Sequence, residues 1–482
     1  MLTTEEIKRI IEGEKSSPSK RDAKAGMDYY EGLHDIRNYR LYYYDADGTL
    51  KEDRTRSNIK ISHPFFTELV DQLVQYMLSG KERYIHSDIP ELQEKLDDQF
   101  CFNDDFNSEL HELLTGASVK GSEYMYLYKD ENGKLMFETA DSLGIAEVRS
   151  KDTNDHTDYI IRWYVDRIDN DGQSIKKIEV WDSEKTTFFM EEGENGVVLD
   201  ENAPINPRPH TVSRDLSDGK MYGSSFGFIP FFRLDNNSKK RSDLNLVKDL
   251  IDDYDLMSCS LSNNLQDLTD GIFVVKGFSG DNLDELITNI KTKKAVGVDD
   301  SGDVEIRTVD IPYEARKAKM ELDEKNIYRF GMGFNSSQIG DGNITNIVIK
   351  SRYVLLDLKA NKLEMRLKKF LRKIVGVFLD DLNAEEGTAY ETSDVSFEFE
   401  RETITNDNDN AQIKLLDAQS EQTRINTLLN ISSGGVIDSD TILKKICEVL
   451  DIEYEEIKDK VPEKEEVDEA IGTLEEEPIL ME

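Results

Sequence analysis

The sequence predicts an α+β chain with a β-rich stretch between helical segments, and three observations carry that prediction. Apolar residues recur at 3-4 spacing in 62–80 and again from 238 to about 380. Between 122 and 235 this period gives way to short β-branched and aromatic runs separated by Asp, Asn and Gly turns. With 482 residues, 20 Phe and 20 Tyr, the chain can bury several cores although 33% of it is charged. Two to four domains follow from that length.

Taken in order, residues 1–25 mix a short helix with a polar stretch holding Ser16-Ser17-Pro18-Ser19. Phe66, Leu69, Val70, Leu73, Tyr76 and Met77 make 62–80 an amphipathic helix closed by Gly80. Residues 91–120 read as one helical stretch around Leu110, Leu113 and Leu114. The strand runs beyond it include Tyr124–Tyr128, Tyr159–Val165, Ile178–Trp181 and Thr186–Met190, with Pro204, Pro207 and Pro209 marking a loop. From 238 to 268 the pattern is helical again, and thirty residues of helix span roughly 45 Å. A compact insert at 271–312 follows, with a strand at Ile272–Val275, a short helix near Leu283–Ile290, and strands around Ala295–Val298 and Val304–Val309. Helix returns at 313–330. Gly331 to Asn343, with four glycines in 13 residues, is a loop. A long helix over about 346–380 then carries the apolar stripe Leu356, Ala360, Leu363, Leu367, Phe370 and Ile374. A strand at Val395–Glu400 and helices around 408–430 and 438–460 precede an acidic tail, 463–482, expected to be disordered or loosely packed.

Charge singles out the long helix. The chain carries −39, from 99 acids and 60 bases, yet Lys350 to Lys373 holds nine bases and two acids. At about 100° per residue, Lys359, Lys362, Arg366, Lys369 and Lys373 gather on one flank of the stripe, with Arg352 at its edge. Asp357 and Glu364 lie on the other. Two readings stay open: a solvated face or one paired with acids of the same subunit, and a helix whose basic flank meets the acids of the next subunit in a ring.

Catalytic chemistry finds no purchase, so no catalytic, cofactor or metal site is assigned. An overall acidic balance argues against gripping nucleic acid over the whole surface. The six histidines all precede residue 211, and none has H-x-x-x-H or H-E-x-x-H spacing. Gly80-Lys81, Gly133-Lys134 and Gly219-Lys220 lack the residues of a P-loop. Gly223-Ser224-Ser225-Phe226-Gly227 matches G-x-S-x-G, but Pro230 follows and no later histidine exists to serve as base, so it reads as a turn. The acid pairs Asp104-Asp105, Asp252-Asp253 and Asp380-Asp381 read as solvated surface. Asp45-Ala46-Asp47-Gly48 and Asp169-Asn170-Asp171-Gly172 read as hairpin or loop turns rather than calcium loops. Three distant cysteines, Cys101, Cys259 and Cys447, fit neither a disulfide framework nor a zinc ribbon and point to a reducing compartment. With no secretion signal and no apolar run long enough for a membrane span, a soluble protein made in the cytosol is expected.

Local sequence then resembles a known family. Tyr29-Tyr30-Glu31-Gly32 before His34-Asp35-Ile36, Asn58-Ile59-Lys60 with Leu69-Val70-Asp71-Gln72, Tyr76 and Gly80, and Gly342-Asn343-Ile344-Thr345-Asn346-Ile347-Val348-Ile349-Lys350 are similar to the portal proteins of tailed double-stranded DNA phages. The order of parts agrees over nearly the whole chain. The resemblance implies a portal-type α+β subunit with an α/β wing (1–237), stem helices (238–270 and 313–331), a small α/β clip (271–312), a tunnel loop (332–345), a long wing helix (346–380), and a helical crown and tail (381–482). It implies a ring, usually of twelve subunits, at one capsid vertex of the virion, assembled in the host cytoplasm, through which double-stranded DNA is packaged and ejected. The implied partners are terminase, head-completion or adaptor proteins, and capsid and scaffolding proteins, with no membrane. The family has no catalytic activity of its own, since terminase hydrolyses ATP.

On this analogy the channel loop presents Gly333, Asn335, Ser336, Ser337, Gln338 and Asn343 to passing DNA. No Lys or Arg lies between Arg329 and Lys350, so the loop attracts phosphate weakly. Arg352, Lys359, Arg366, Lys373, Asp357 and Glu364 are the candidate subunit-interface residues. Phe273, Val275, Phe278, Lys293 and Lys294 are candidates for clip docking, although Phe273 and Val275 fit equally well as the core of that module. The rival readings are a metal-dependent DNA-processing enzyme and a non-viral oligomeric scaffold.

Overall fold

A computed structural model describes residues 2–401, except 46, 55, 81, 131–132, 152–155, 169–173, 193–195, 215–220, 268–271, 277–302, 308–311 and 336–345. Beyond 401 it describes 419–431, 439–449 and 454. The chain divides into two compact units, 1–339 with 352–402, and 340–351 with 403–482.

Caps set the limits of the first helices. α1 (Thr4–Lys15) opens on a capping box between Thr3 and Glu6. α2 (Pro18–Tyr30) opens on the Ser17 hydroxyl with Pro18 in its first turn. The Ser-Ser-Pro-Ser stretch is therefore a helix start and not a polar spacer, because proline lacks only an N–H that a first turn leaves unpaired. α3 (Phe65–Leu78) buries the six apolar residues that its spacing singles out. The stretch 91–120 is two helices rather than one, α4 (Pro90–Leu96), continued by a π turn to Cys101, and α5 (Asp104–Lys120). Asn103 makes the break by accepting a hydrogen bond from the Phe106 N–H, which caps α5.

Every described strand pairing is antiparallel, which places the chain in the α+β class. β4 (Ser122–Lys129) lies between β14 (Phe231–Asp235) and β5 (Leu135–Ala140). β6 (Ile145–Arg149), β7 (Thr157–Ile168), β8 (Ser174–Trp181), β9 (Lys185–Glu192) and β10 (Gly196–Leu199) form a meander in chain order. Both faces of this sheet are covered. Ala146, Ile161, Ile178, Val180 and Phe189 meet Ile7 and Ile11 of α1. The alternate residues Ile145, Ile160 and Trp181 meet Tyr124, Ala140 and Phe231 of the smaller sheet. Two-sided burial explains why these strands read as unbroken apolar runs. A separate hairpin, β1 (Tyr42–Tyr44) with β2 (Leu50–Glu52), turns through Gly48 at φ +75°, whose N–H donates to the Asp45 carbonyl at 2.8 Å, the hairpin turn expected there, although residue 46 itself lies outside the described residues. The other turn of that type, 169–173, lies outside the described residues. Ser224 ends a strand, β13 (Met221–Ser224), and Gly227 follows at φ +75°, the turn expected of that segment.

α6 (Lys248–Asp267) has 20 residues, ten fewer than the pattern suggested. Residues 237–246 instead form a tied turn. The Asn237 carboxamide accepts from the N–H groups of Lys239 and Arg241, each at 3.1 Å, and the Ser242 hydroxyl accepts from Leu244 N–H. Asp243–Leu246 is a short 3-10 helix, and Leu244 in it and Val247 at its end are buried, which is why they match a helical period without belonging to α6. α7 (Tyr313–Gly331) and α8 (Asn346–Glu386) follow, and α8 ends six residues later than expected, just before Gly387 at φ +72°. The apolar stripe of α8 is buried throughout. Near the end of this unit Ser396–Phe397 pairs with Ile85–His86. The acid pairs are not bare surface: Lys248 bridges to Asp252, Lys319 to Asp253 and Lys129 to Asp381. Asp104-Asp105 opens α5, where negative charge suits the helix dipole.

In the second unit, 419–431 and Ser439–Val449 are helical, and the latter buries Ile442 and Cys447. The remainder of the two expected helices and the acidic tail lie outside the described residues. No helix among the described residues is long and apolar enough to cross a membrane.

One buried ion cluster joins α5 to β4. Glu123, 2% exposed, faces Lys120, and its other oxygen accepts the Ser142 N–H at 2.6 Å. Burial pushes the Glu123 carboxyl up to about 7, and Lys120 only partly offsets it because Lys120 also serves Asp141. A carboxyl raised from 4.5 to about 7 contributes stability that is complete below pH 4.5 and is lost as pH rises through 7. Glu123→Gln is therefore expected to flatten the fall in melting temperature between pH 5 and 8, by about 3 °C, in paired calorimetric scans.

Candidate subunit interface and channel loop

The root of the loop after α7 is fixed by side chains of α3 and α8. Gln72 clamps the Phe334 backbone on both sides, accepting its N–H at 2.9 Å and donating to its carbonyl at 2.8 Å. The Phe334 ring stacks on Tyr353, with centroids 4.8 Å apart. Asn335 donates to Glu324 at 3.1 Å. Gly331 and Gly333 are close-approach glycines: an added Cβ would sit 2.5 and 2.2 Å from Leu69 methyl carbons. Neither has a positive φ. The left-handed residue is Met332 between them, at φ +60°, where α7 ends. Their role at the root is thus packing, and backbone freedom is not what they supply. Ser336, Ser337, Gln338 and Asn343 lie outside the described residues.

On α8, the candidate interface residues divide by environment. Lys359 is buried, 3.0 Å from the Asp243 carboxylate, and donates to the Gly331 carbonyl at 3.2 Å. Asp357 accepts from the Tyr76 hydroxyl, and Glu364 pairs with Lys368 and Arg401. These three are engaged inside the subunit. The Arg352 side chain is outside the described set. Lys362, Arg366, Lys369 and Lys373, by contrast, have no acidic partner among the described residues.

Two clefts lie along that flank and share Arg366. One, of about 540 Å³, is bordered by Lys239, Arg241, Leu246, Lys362, Met365 and Arg366. The other, of about 500 Å³, is bordered by Arg149, Arg233, Arg366, Lys369 and Lys373. Of the cations in the second cleft, Arg233 is neutralised by Glu147 and Asp235. The rest leave a continuous basic strip on an acidic chain. α8 also exposes Val354, Leu358 and Met365, with Met365 67% exposed, so its open side is apolar as well as cationic. Arg149, Lys239 and Arg241 escaped the sequence reading because they come from a strand and a turn remote in sequence.

A further polar arrangement lies on α6. Asp255, Cys259, Asn263 and Asp267, four apart, accept the backbone N–H groups of His63, Ile61, Ile59 and Ser57 at 3.0, 3.2, 2.6 and 3.1 Å. Four helical residues advance about 6.0 Å and two extended residues about 6.6 Å, so helix and strap stay in step. At one end Asp255, fully buried, also binds both histidine rings, His34 Nδ1 at 2.6 Å and His63 Nδ1 at 2.7 Å. His34 stacks on Tyr29 and has Nε2 3.3 Å from the Tyr29 carbonyl. Both nitrogens of His34 thus lie against oxygen atoms, which fixes the ring between the helix and the Tyr29 carbonyl. Burial raises the Asp255 carboxyl, but the two histidine hydrogen bonds outweigh it and hold the group below its usual 3.8. The helical repeat of polar residues was the available sequence signal, and His34 and His63 gave none because their shared partner lies some 200 residues away.

Of the clip candidates, Phe273 and Val275 stand opposite Ile306 and Val304 in an antiparallel pair, β15 (Ile272–Lys276) with β16 (Asp303–Arg307). Phe278, Lys293 and Lys294 are outside the described residues.

Comparison with known proteins decides the family. The profile of the family described as "Phage portal protein, SPP1 Gp6-like" matches residues 10–469. The chain belongs to that family. The portal protein of Bacillus phage SPP1 is 27% identical over 433 residues, covering 89% of this chain and 81% of its own. The portal protein of Clostridium phage phiCD119 is 25% identical over 375 residues, covering 72% and 78%. The function is that of a phage portal protein, and the family is structural rather than enzymatic.

Proposed function

We propose that the chain forms a ring at the portal vertex of a phage head, through which genomic DNA is packaged and later ejected. The observation that carries this reading is the basic strip on α8, without acidic partners among the described residues, in a family member of charge −39. Copies so acidic repel one another, and closing them into a ring needs a face where the next copy's acids find cations. Arg366 and Lys373, with Lys362 and Lys369, are that face, and Lys359 holds the helix in place behind it. A heterologous contact of this kind propagates round a closed ring, as a channel requires.

Within such a ring, 1–237 is the wing, α6 and α7 are the stem, 271–312 the clip that docks terminase and head-completion proteins, and 381–482 the crown and tail. The segment 332–345 is the channel loop, free of Lys and Arg and held at its root by Gln72 and Tyr353. Its lack of cations lets phosphate pass without being trapped.

Negative-stain images of the purified protein test the reading. Rings with a central hole are expected, twelvefold in class averages. Monodisperse particles without a hole at micromolar concentration would overturn it.

A further inference from the structure

We propose that the hairpin of β1 and β2 is an intersubunit clasp, whose tyrosines dock on a second copy of this chain. The inference rests on the ring reading above but uses a different surface from the α8 flank.

Among the described residues nothing covers the hairpin's tyrosines. In the register Tyr42↔Glu52, Tyr43↔Lys51 and Tyr44↔Leu50, Tyr42, Tyr44 and Leu50 share one face and Tyr43 occupies the other. Tyr44 is 75% exposed, Leu50 54%, Tyr42 53% and Tyr43 44%, and Tyr39 at the base is 43% exposed. A two-stranded hairpin is marginal in water unless something packs on it. Tyrosine is also the side chain that favours interfaces, being large, stiff and tolerant of water at its hydroxyl.

Its base is rigid. The strap 57–63 that follows the hairpin is laddered onto α6, Asn58 donates to the Tyr39 carbonyl at 3.3 Å, and Lys60 donates to the Arg37 carbonyl at 2.9 Å. The aromatic tip is therefore held at a set position relative to α6.

Charge and area select the occupant. The cations of the hairpin are spent locally, Arg40 and Arg54 on Glu52, Lys51 on Asp45 and Arg56 on Asp53. With no net positive charge it offers nothing to phosphate, so a nucleic acid is not its ligand. Neutrality equally spares it repulsion from an acidic copy. Its exposed aromatic and aliphatic surface amounts to roughly 500 Å², below the ~800 Å² per partner that holds a separate protein. That area suffices only as an addition to a contact already made, which is the situation of neighbouring copies in a ring.

The test compares wild type with Tyr42→Ser/Tyr43→Ser/Tyr44→Ser by sedimentation on dilution. The triple variant is expected to keep the far-ultraviolet spectrum and melting temperature of the subunit, and to dissociate at a concentration at least tenfold higher. That shift should be the same at low and high salt, since no charge is removed. A second arm places a benzophenone on Tyr44→Cys, the three native cysteines being buried. Illumination should give a species of twice the chain mass, with the label joined to a peptide of the second copy. Unchanged dissociation together with no crosslinked dimer overturns the clasp while leaving the ring standing. Crosslinking in a preparation without rings upholds the clasp and defeats the ring.

Discussion

Asp255→Ala is expected to lower the stability of the larger unit by about 3 kcal/mol, since it strands buried hydrogen-bond donors at about 1–3 kcal/mol each. The carboxylate is fully buried and takes three hydrogen bonds, from both histidine rings and the His63 N–H. Alanine would leave His34 buried against the Tyr29 ring with a donor and no acceptor, and would open the first rung of the strap on α6. Asp255→Asn should cost less, because one amide oxygen still accepts, but it cannot serve both rings as an acceptor. Because the Asp255 pKa is depressed, its contribution is complete above the ordinary value of 3.8 and is lost only as pH falls through the lower folded value. The difference between wild type and Asp255→Ala should thus persist at pH 5 and shrink only in stronger acid. Urea unfolding followed by circular dichroism measures both. A loss under 1 kcal/mol at pH 7 would mean that the strap is held without its histidine rung.

The same residues show how far sequence carries. The long apolar stripe of α8 was legible because one helix face obeys one period, and the structure buries each residue of it. Antiparallel sheets were legible as strand runs, although their two-sided burial hid which residue faced which core. Helix ends were less clear. Asn103 and Ser17 act through caps that cut across an apolar rhythm, and Leu244 keeps the rhythm inside a turn. Partners far apart in sequence left no trace: nothing local joins His34 and His63 to Asp255, or Arg149 to Lys373. The resemblance nonetheless pointed at working residues, since Tyr29 and His34 build the Asp255 cluster, Asn58 braces the hairpin and Gln72 clamps the start of the loop after α7. For the glycines at 331 and 333 the sequence showed only a glycine-rich loop, whereas Leu69 beside them demands the absence of a side chain.

Reversing Arg366 and Lys373 to Glu is expected to raise the concentration needed for ring assembly by about 30-fold at low salt. On the proposed contact, each substitution would turn an attraction toward the acids of the next copy into a repulsion, and both positions lack acidic partners among the described residues of their own chain. The subunit should fold as before, since neither side chain enters the buried stripe of α8. Salt separates the mechanism from a packing defect. At about 1 M the Debye length falls to ~3 Å, so the added repulsion is screened and much of the assembly should return. Lys359→Glu is the contrasting case, because it places a carboxylate against Asp243 inside the subunit and should lower the melting temperature at every salt concentration. Sedimentation velocity at two ionic strengths reads both outcomes. If the double reversal sediments as wild type at low salt, the strip is a solvated face, and the contact between copies must be carried elsewhere.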